Sequence, residues 1–69
     1  MTNFANNLRV LRLQNNLTQQ AMADTLGINR STYTKWELGD SEPQISTIIK
    51  LTKILKVDCN RLLTGESAH

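Results

Sequence analysis

The sequence predicts an all-α fold, a compact domain of five short helices in which two helices meet at a glycine corner. Three observations predict it. Apolar residues recur at intervals of three and four almost throughout, the period of a helix with one buried face. A starting signal, in which an apolar residue, a cap and a second apolar residue follow in fixed spacing, occurs three times. No stretch reads convincingly as a strand. A chain of 69 residues has room for one core, so 1–69 reads as a single domain.

The first helix follows the capping candidates Thr2 and Asn3 and carries Phe4, Leu8 and Leu11 at i, i+4 and i+7. Asn15 and Asn16 interrupt it, because asparagine favours turns by bonding its own backbone. Thr18 caps a second helix, about Thr18 to Leu26, and Leu17 precedes Met22 by the spacing of a hydrophobic staple. Gly27 ends that helix, where a left-handed residue commonly falls. Ile28, Asn29 and Tyr33 repeat the staple and cap for a third helix. So short a connection makes the two helices cross steeply, and Ala23 is expected at the crossing, where a larger side chain would part the backbones. Pro43 leads into a segment from Gln44 to Val57 with Ile45, Ile48, Ile49, Thr52 and Leu55 at helical spacing. It is expected to be the longest core helix, with Gln44 a poor cap. Val57, Asp58 and Leu62 open the fifth helix, and residues 65–69 are expected to form a flexible tail.

Composition narrows the function. The lone cysteine, Cys59, excludes an intrachain disulfide, and with His69 it is too few ligands for a structural zinc site. Cys59 is expected to be a small packing residue. No run approaches the roughly 20 apolar residues of a membrane span, and the start lacks a signal-peptide layout, so a soluble, cytoplasmic protein is expected. The net charge of +2 permits an acidic partner without demanding one. With no nucleophile triad, carboxylate pair or phosphate loop in view, neither an enzyme nor a cofactor or small-molecule ligand is expected.

Read in register from Gln19, the segment LTQQAMADTLGINRSTYTKWELG has apolar Met22, small Ala23, apolar Leu26, Gly27 at the turn, apolar Ile28, then Tyr33 and Trp36 facing the core. This pattern, about residues 18–38, resembles the helix-turn-helix of the phage repressor and Cro family of bacterial and phage transcription regulators. The flanks LRVLRLQNNLTQ, KWELGDSEP and IIKLTKILKVDCNRLLTG carry the resemblance over nearly the whole chain. It implies a lambda-repressor-like fold that binds double-stranded DNA sequence-specifically through the major groove. The implied role is transcription regulation, more readily repression, by a homodimer on a palindromic operator. The alternative is an antitoxin-like protein-interaction module with autoregulatory DNA binding, for which Gly65 to His69 leave little chain to hold a toxin.

In such proteins the second helix of the motif enters the major groove with its N-terminal residues at the base edges. The outward residues Arg30, Ser31, Thr34 and Lys35 are therefore the expected base readers. An arginine fork can donate to both O6 and N7 of guanine, a contact that discriminates by roughly 1–3 kcal/mol. Hydroxyls both donate and accept, so Ser31 and Thr34 distinguish bases less well. Gln19 resembles the family's phosphate-binding glutamine. Asn29 either caps the third helix or reaches a phosphate, and Leu38 is expected at the end of the same face, beside the phosphates. Arg12 and Glu37 match the positions at which the family pairs an arginine with the glutamate of its W-E-x-G element, which implies a structural ion pair.

From 18 to 38, Arg30 and Lys35 oppose Asp24 and Glu37, a net charge of zero, so steering must come from charge placement. Asp40 and Glu42 add negative charge in the following loop. Lys50, Lys53 and Lys56, at i, i+3 and i+6, read as the solvated face opposite a buried stripe. The expected self-contact of the dimer is the fifth helix around Cys59, Leu62 and Leu63, with Leu62 drawn toward the core by its staple.

Overall fold

A computed structural model describes residues 2–65, with side chains from position 4 onward. Its elements are α1 (Thr2–Gln14), α2 (Gln19–Leu26), α3 (Arg30–Leu38), α4 (Ile45–Leu55) and α5 (Cys59–Thr64), with no strand among the described residues. The expected tail and His69 lie, apart from Gly65, outside the described residues.

Helix ends explain how so short a chain turns four times. A left-handed residue follows each helix: Asn16, Gly27, Gly39, Lys56 and Gly65 in turn. At the first four of these, the next amide reaches back five residues: Leu17 N–H to Arg12 C=O at 3.1 Å, Ile28 to Ala23 at 3.0 Å, Asp40 to Lys35 at 2.9 Å and Val57 to Thr52 at 3.0 Å. Carbonyls that would otherwise be orphaned are thereby satisfied. A Cβ on Gly27 would meet nothing within 4 Å, so its φ of 71° alone asks for glycine.

Leu17, Ile28 and Val57 have a second use. Each closes one helix and also stands just before the cap of the next, packed against the core as the staple requires. Thr18 accepts from the Ala21 amide at 3.0 Å, and Asp58 from the Arg61 amide at 2.7 Å. The joint between α3 and α4 is the exception, because polar Asp40 makes its closing bond and Gln44 forms no side-chain cap.

The core joins Phe4, Leu8 and Leu11 of α1 to Met22 and Ala23 of α2, Tyr33 and Trp36 of α3, Leu51 and Leu55 of α4, and Leu62 of α5. Helix α1 packs on α3 and α5, α2 packs on α3, and α4 packs on α5. The rings of Tyr33 and Trp36 meet edge to face, centroids 5.8 Å apart.

Two expectations for α4 need correction. At 11 residues it is shorter than α1, at 13. Its buried stripe runs through Ile48, Leu51 and Leu55, leaving Ile45 69% and Ile49 46% exposed. Isoleucine and leucine occupy so much of this helix that spacing alone fits more than one stripe, and packing on α5 selects among them. Cys59 is also exposed rather than packed: it is the first residue of α5, and Leu62, one turn further along, takes the buried place. Among the described residues no helix is long and apolar enough to cross a membrane.

Candidate nucleic-acid interface

Helices α2 and α3 form a corner whose inner side is Met22, Ala23, Tyr33 and Trp36, and Ala23 is fully buried there. Burial of Tyr33 and Trp36 turns the opposite side of α3 to solvent. Arg30, Ser31, Lys35 and Leu38 are all exposed on it. Thr34 is half-buried, and its hydroxyl donates to the Arg30 carbonyl at 2.9 Å, so it retains only acceptor capacity for a base. Thr32, passed over in the sequence, is exposed one turn before Lys35. Spacing gave a divided signal, since Thr32 stands three residues from Lys35 but also four from buried Trp36, at the edge of the outward face.

Leu38 is 68% exposed, has no polar side-chain group and lies within α3, so it can meet DNA only through apolar contact. Asn29 has the extended backbone of a cap but makes no side-chain cap bond, and its exposed amide remains available. Asn29 thus occupies the cap position of α3, as expected, but without the side-chain bond of a cap. Gln19 is half-buried and lines an open groove with Asn16, Thr18, Gln20 and Arg30, between the α1–α2 turn and the start of α3.

Beneath this surface Glu37 gathers three helices. Arg12 of α1 donates from Nε to Oε2 at 2.6 Å and from Nη2 to Oε1 at 3.2 Å. Tyr33 Oη donates to Oε2 at 2.5 Å, and Gln19 Nε2 donates to Oε1 at 3.1 Å. Arg12 Nη1 donates to the Leu17 carbonyl at 2.8 Å, which ties in the turn before α2. The side chains of Arg12 and Glu37 are 10% and 3% exposed. Burial alone would raise the Glu37 pKa, but the donors from Arg12, Tyr33 and Gln19 outweigh it and hold the carboxyl below its ordinary value. The same contact raises Arg12, while burial and then Glu37 push the Tyr33 phenol upward. Among the described residues no buried side-chain nitrogen or oxygen lacks a partner.

This network changes the electrostatic account of the face. Glu37 is neutralised by Arg12 from outside the motif, so the exposed charges from 18 to 38 are Arg30 and Lys35 against Asp24, two minus one, or +1. Gln20 Nε2 in turn bonds the Asp24 carboxylate at 2.8 Å. Away from the corner, Lys50, Lys53 and Lys56 are exposed, in keeping with a solvated face. Of the residues expected at a self-contact, Cys59 and Leu63 are exposed, but Leu62 is fully buried within its own chain and is removed from that surface.

Five helices around a capped corner, with a polar outer face on the second helix of the corner, define a helix-turn-helix domain. The chain belongs to the Cro/C1-type helix-turn-helix family, whose model matches residues 8–62. It is 52% identical over 64 residues to the uncharacterized HTH-type transcriptional regulator YqaE of Bacillus subtilis (strain 168), covering 93% of this chain and 55% of that protein. It is 35% identical over 63 residues to the HTH-type transcriptional activator BcrR of Enterococcus faecalis, covering 91% of this chain and 31% of that one. It is 31% identical over 66 residues to the cryptic phage CTXphi transcriptional repressor RstR of Vibrio cholerae, covering 96% and 60%. The chain thus spans no more than about three fifths of these relatives. No solved structure matches it.

Proposed function

We propose that the chain is a sequence-specific, double-stranded DNA-binding transcriptional regulator that represses as a homodimer on a palindromic operator. The observation that carries this reading is the outer face of α3, where Arg30, Ser31 and Lys35 stand free above a corner fixed from below by Glu37. Arg30 and Lys35 supply long cationic donors for base edges, Ser31 a short adaptable one, and Thr34 an acceptor. Gln19 and Asn29 set the register on the phosphate backbone, a role that positions without specifying sequence. The named relatives include both a repressor and an activator, and repression is the simpler mechanism because occupancy of a promoter suffices.

One recognition helix reads only a few base pairs, so specific affinity calls for two. Two-fold related copies of α3 would lie about 34 Å apart, one DNA turn. Leu63, 40% exposed, is the proposed contact between copies, with Cys59 beside it on α5. Selection of random duplexes on the purified protein tests the whole reading. A palindrome with half-sites about ten base pairs apart is expected, and retention without sequence preference would defeat specific regulation. Sedimentation of wild type and Leu63→Glu tests the self-contact: the variant is expected to shift from dimer to monomer, and a wild type that stays monomeric with DNA bound would remove the homodimer.

A further inference from the structure

Gln19 is tied to the domain in a way that the Arg12–Glu37 ion pair does not require. Its Nε2 donates to Glu37 Oε1 across 18 residues of chain, whereas Gln20 beside it bonds along its own helix to Asp24. A carboxylate only accepts, so it faces the amide nitrogen and not the amide oxygen. A primary amide carries two N–H donors, and among the described residues Gln19 Nε2 has the single partner Glu37, which leaves its second N–H without one. The acceptor itself is fixed, since Arg12 holds both oxygens of Glu37 and Tyr33 holds one of them. The other side of Gln19 lines the open groove beside Arg30.

We infer that Glu37 is a positioning residue for DNA binding: it anchors the Gln19 amide so that its second N–H is presented to a phosphate before DNA arrives. The inference rests on the proposed phosphate contact of Gln19. An anchored side chain has already lost the rotamer freedom that a mobile one loses on binding, an advantage of roughly 2- to 10-fold in affinity. Glutamine at position 37 has one acceptor oxygen, which Arg12 and Tyr33 take, and it sets an N–H against Gln19 Nε2. Two donors face each other, and Gln19 is released or turned.

A double-mutant cycle separates this role from support of the fold. Affinity for a short mixed-sequence duplex at low salt is measured for wild type, Gln19→Ala, Glu37→Gln and the double variant, at a temperature where circular dichroism shows all four folded. Each single change is expected to weaken binding roughly 2- to 10-fold, and Glu37→Gln is expected to cost nothing further once Gln19 is alanine. Additive losses would mean that Glu37 acts only by holding α3, which overturns the positioning role and leaves the Gln19 contact standing. An unchanged Gln19→Ala would overturn both. If Glu37→Gln does not fold, side-chain amide relaxation of the free wild type decides. Rigidity of Gln19 comparable with the α2 backbone supports the inference, and mobility like that of exposed Gln14 rejects it.

Discussion

Arg30 and Gln19 border the same groove but carry different chemistry, and their substitutions should separate accordingly. Arg30→Ala is expected to flatten preference at one half-site position at a cost of about 1–3 kcal/mol, while Gln19→Ala weakens all sequences alike and lowers the salt dependence little, an amide being uncharged. Measured against a panel of single-base operator variants, an interchange of the two patterns would reject the division of roles. At this scale the sequence was legible where a residue acts through its position on a helix. Arg30, Ser31 and Lys35 had to face outward once Tyr33 and Trp36 faced inward. It was not legible where a bond closes across the fold: the Gln19–Glu37 contact depends on how α2 and α3 converge, which spacing does not encode, whereas Tyr33 and Glu37 stand at i and i+4 within α3, a pairing that spacing does encode.

At the scale of the element, caps and corners could be read because they are local chemistry: Thr18 and Asp58 cap as their side chains allow, and Gly27 turns left-handed where it must. The face of α4 could not, since its isoleucines fit more than one stripe until α5 is in place. Lys56 holds φ at 61° at the end of α4, a conformation that costs an ordinary L-residue about 1–2 kcal/mol. Lys56→Gly should therefore raise stability by about 0.5–1 kcal/mol after its larger unfolded-state entropy is subtracted, and urea midpoints check this. Ala23→Leu goes the other way. With no exposed surface at the crossing of α2 and α3, extra methylenes should cost about 1–3 kcal/mol and tilt the reading face, so stability and operator affinity fall together. Full affinity in a destabilised variant would show that the corner angle tolerates change.

For the whole molecule, the buried ion pair makes folding sensitive to acid. The pKa of Glu37 is lower in the folded than in the unfolded chain, so its contribution is complete above the unfolded value, about 4.3, and disappears as pH falls through the folded one. Glu37→Gln should be less stable at pH 7, and the gap to wild type should narrow below about pH 4.3. A constant gap across thermal melts from pH 7 to 3 would mean that the carboxylate charge is not what the site uses. The two-fold purpose of Leu17, Ile28 and Val57 also limits how this chain can lengthen. A residue inserted between 27 and 29 cannot keep Ile28 both as the closing amide of α2 and as the staple of α3. An insertion between 40 and 43 meets no such double duty. A glycine added after Gly27 is expected to lower the melting temperature much more than one added after Ser41. The domain's tolerance for extra length is then concentrated in one loop, and natural or engineered grafts belong there.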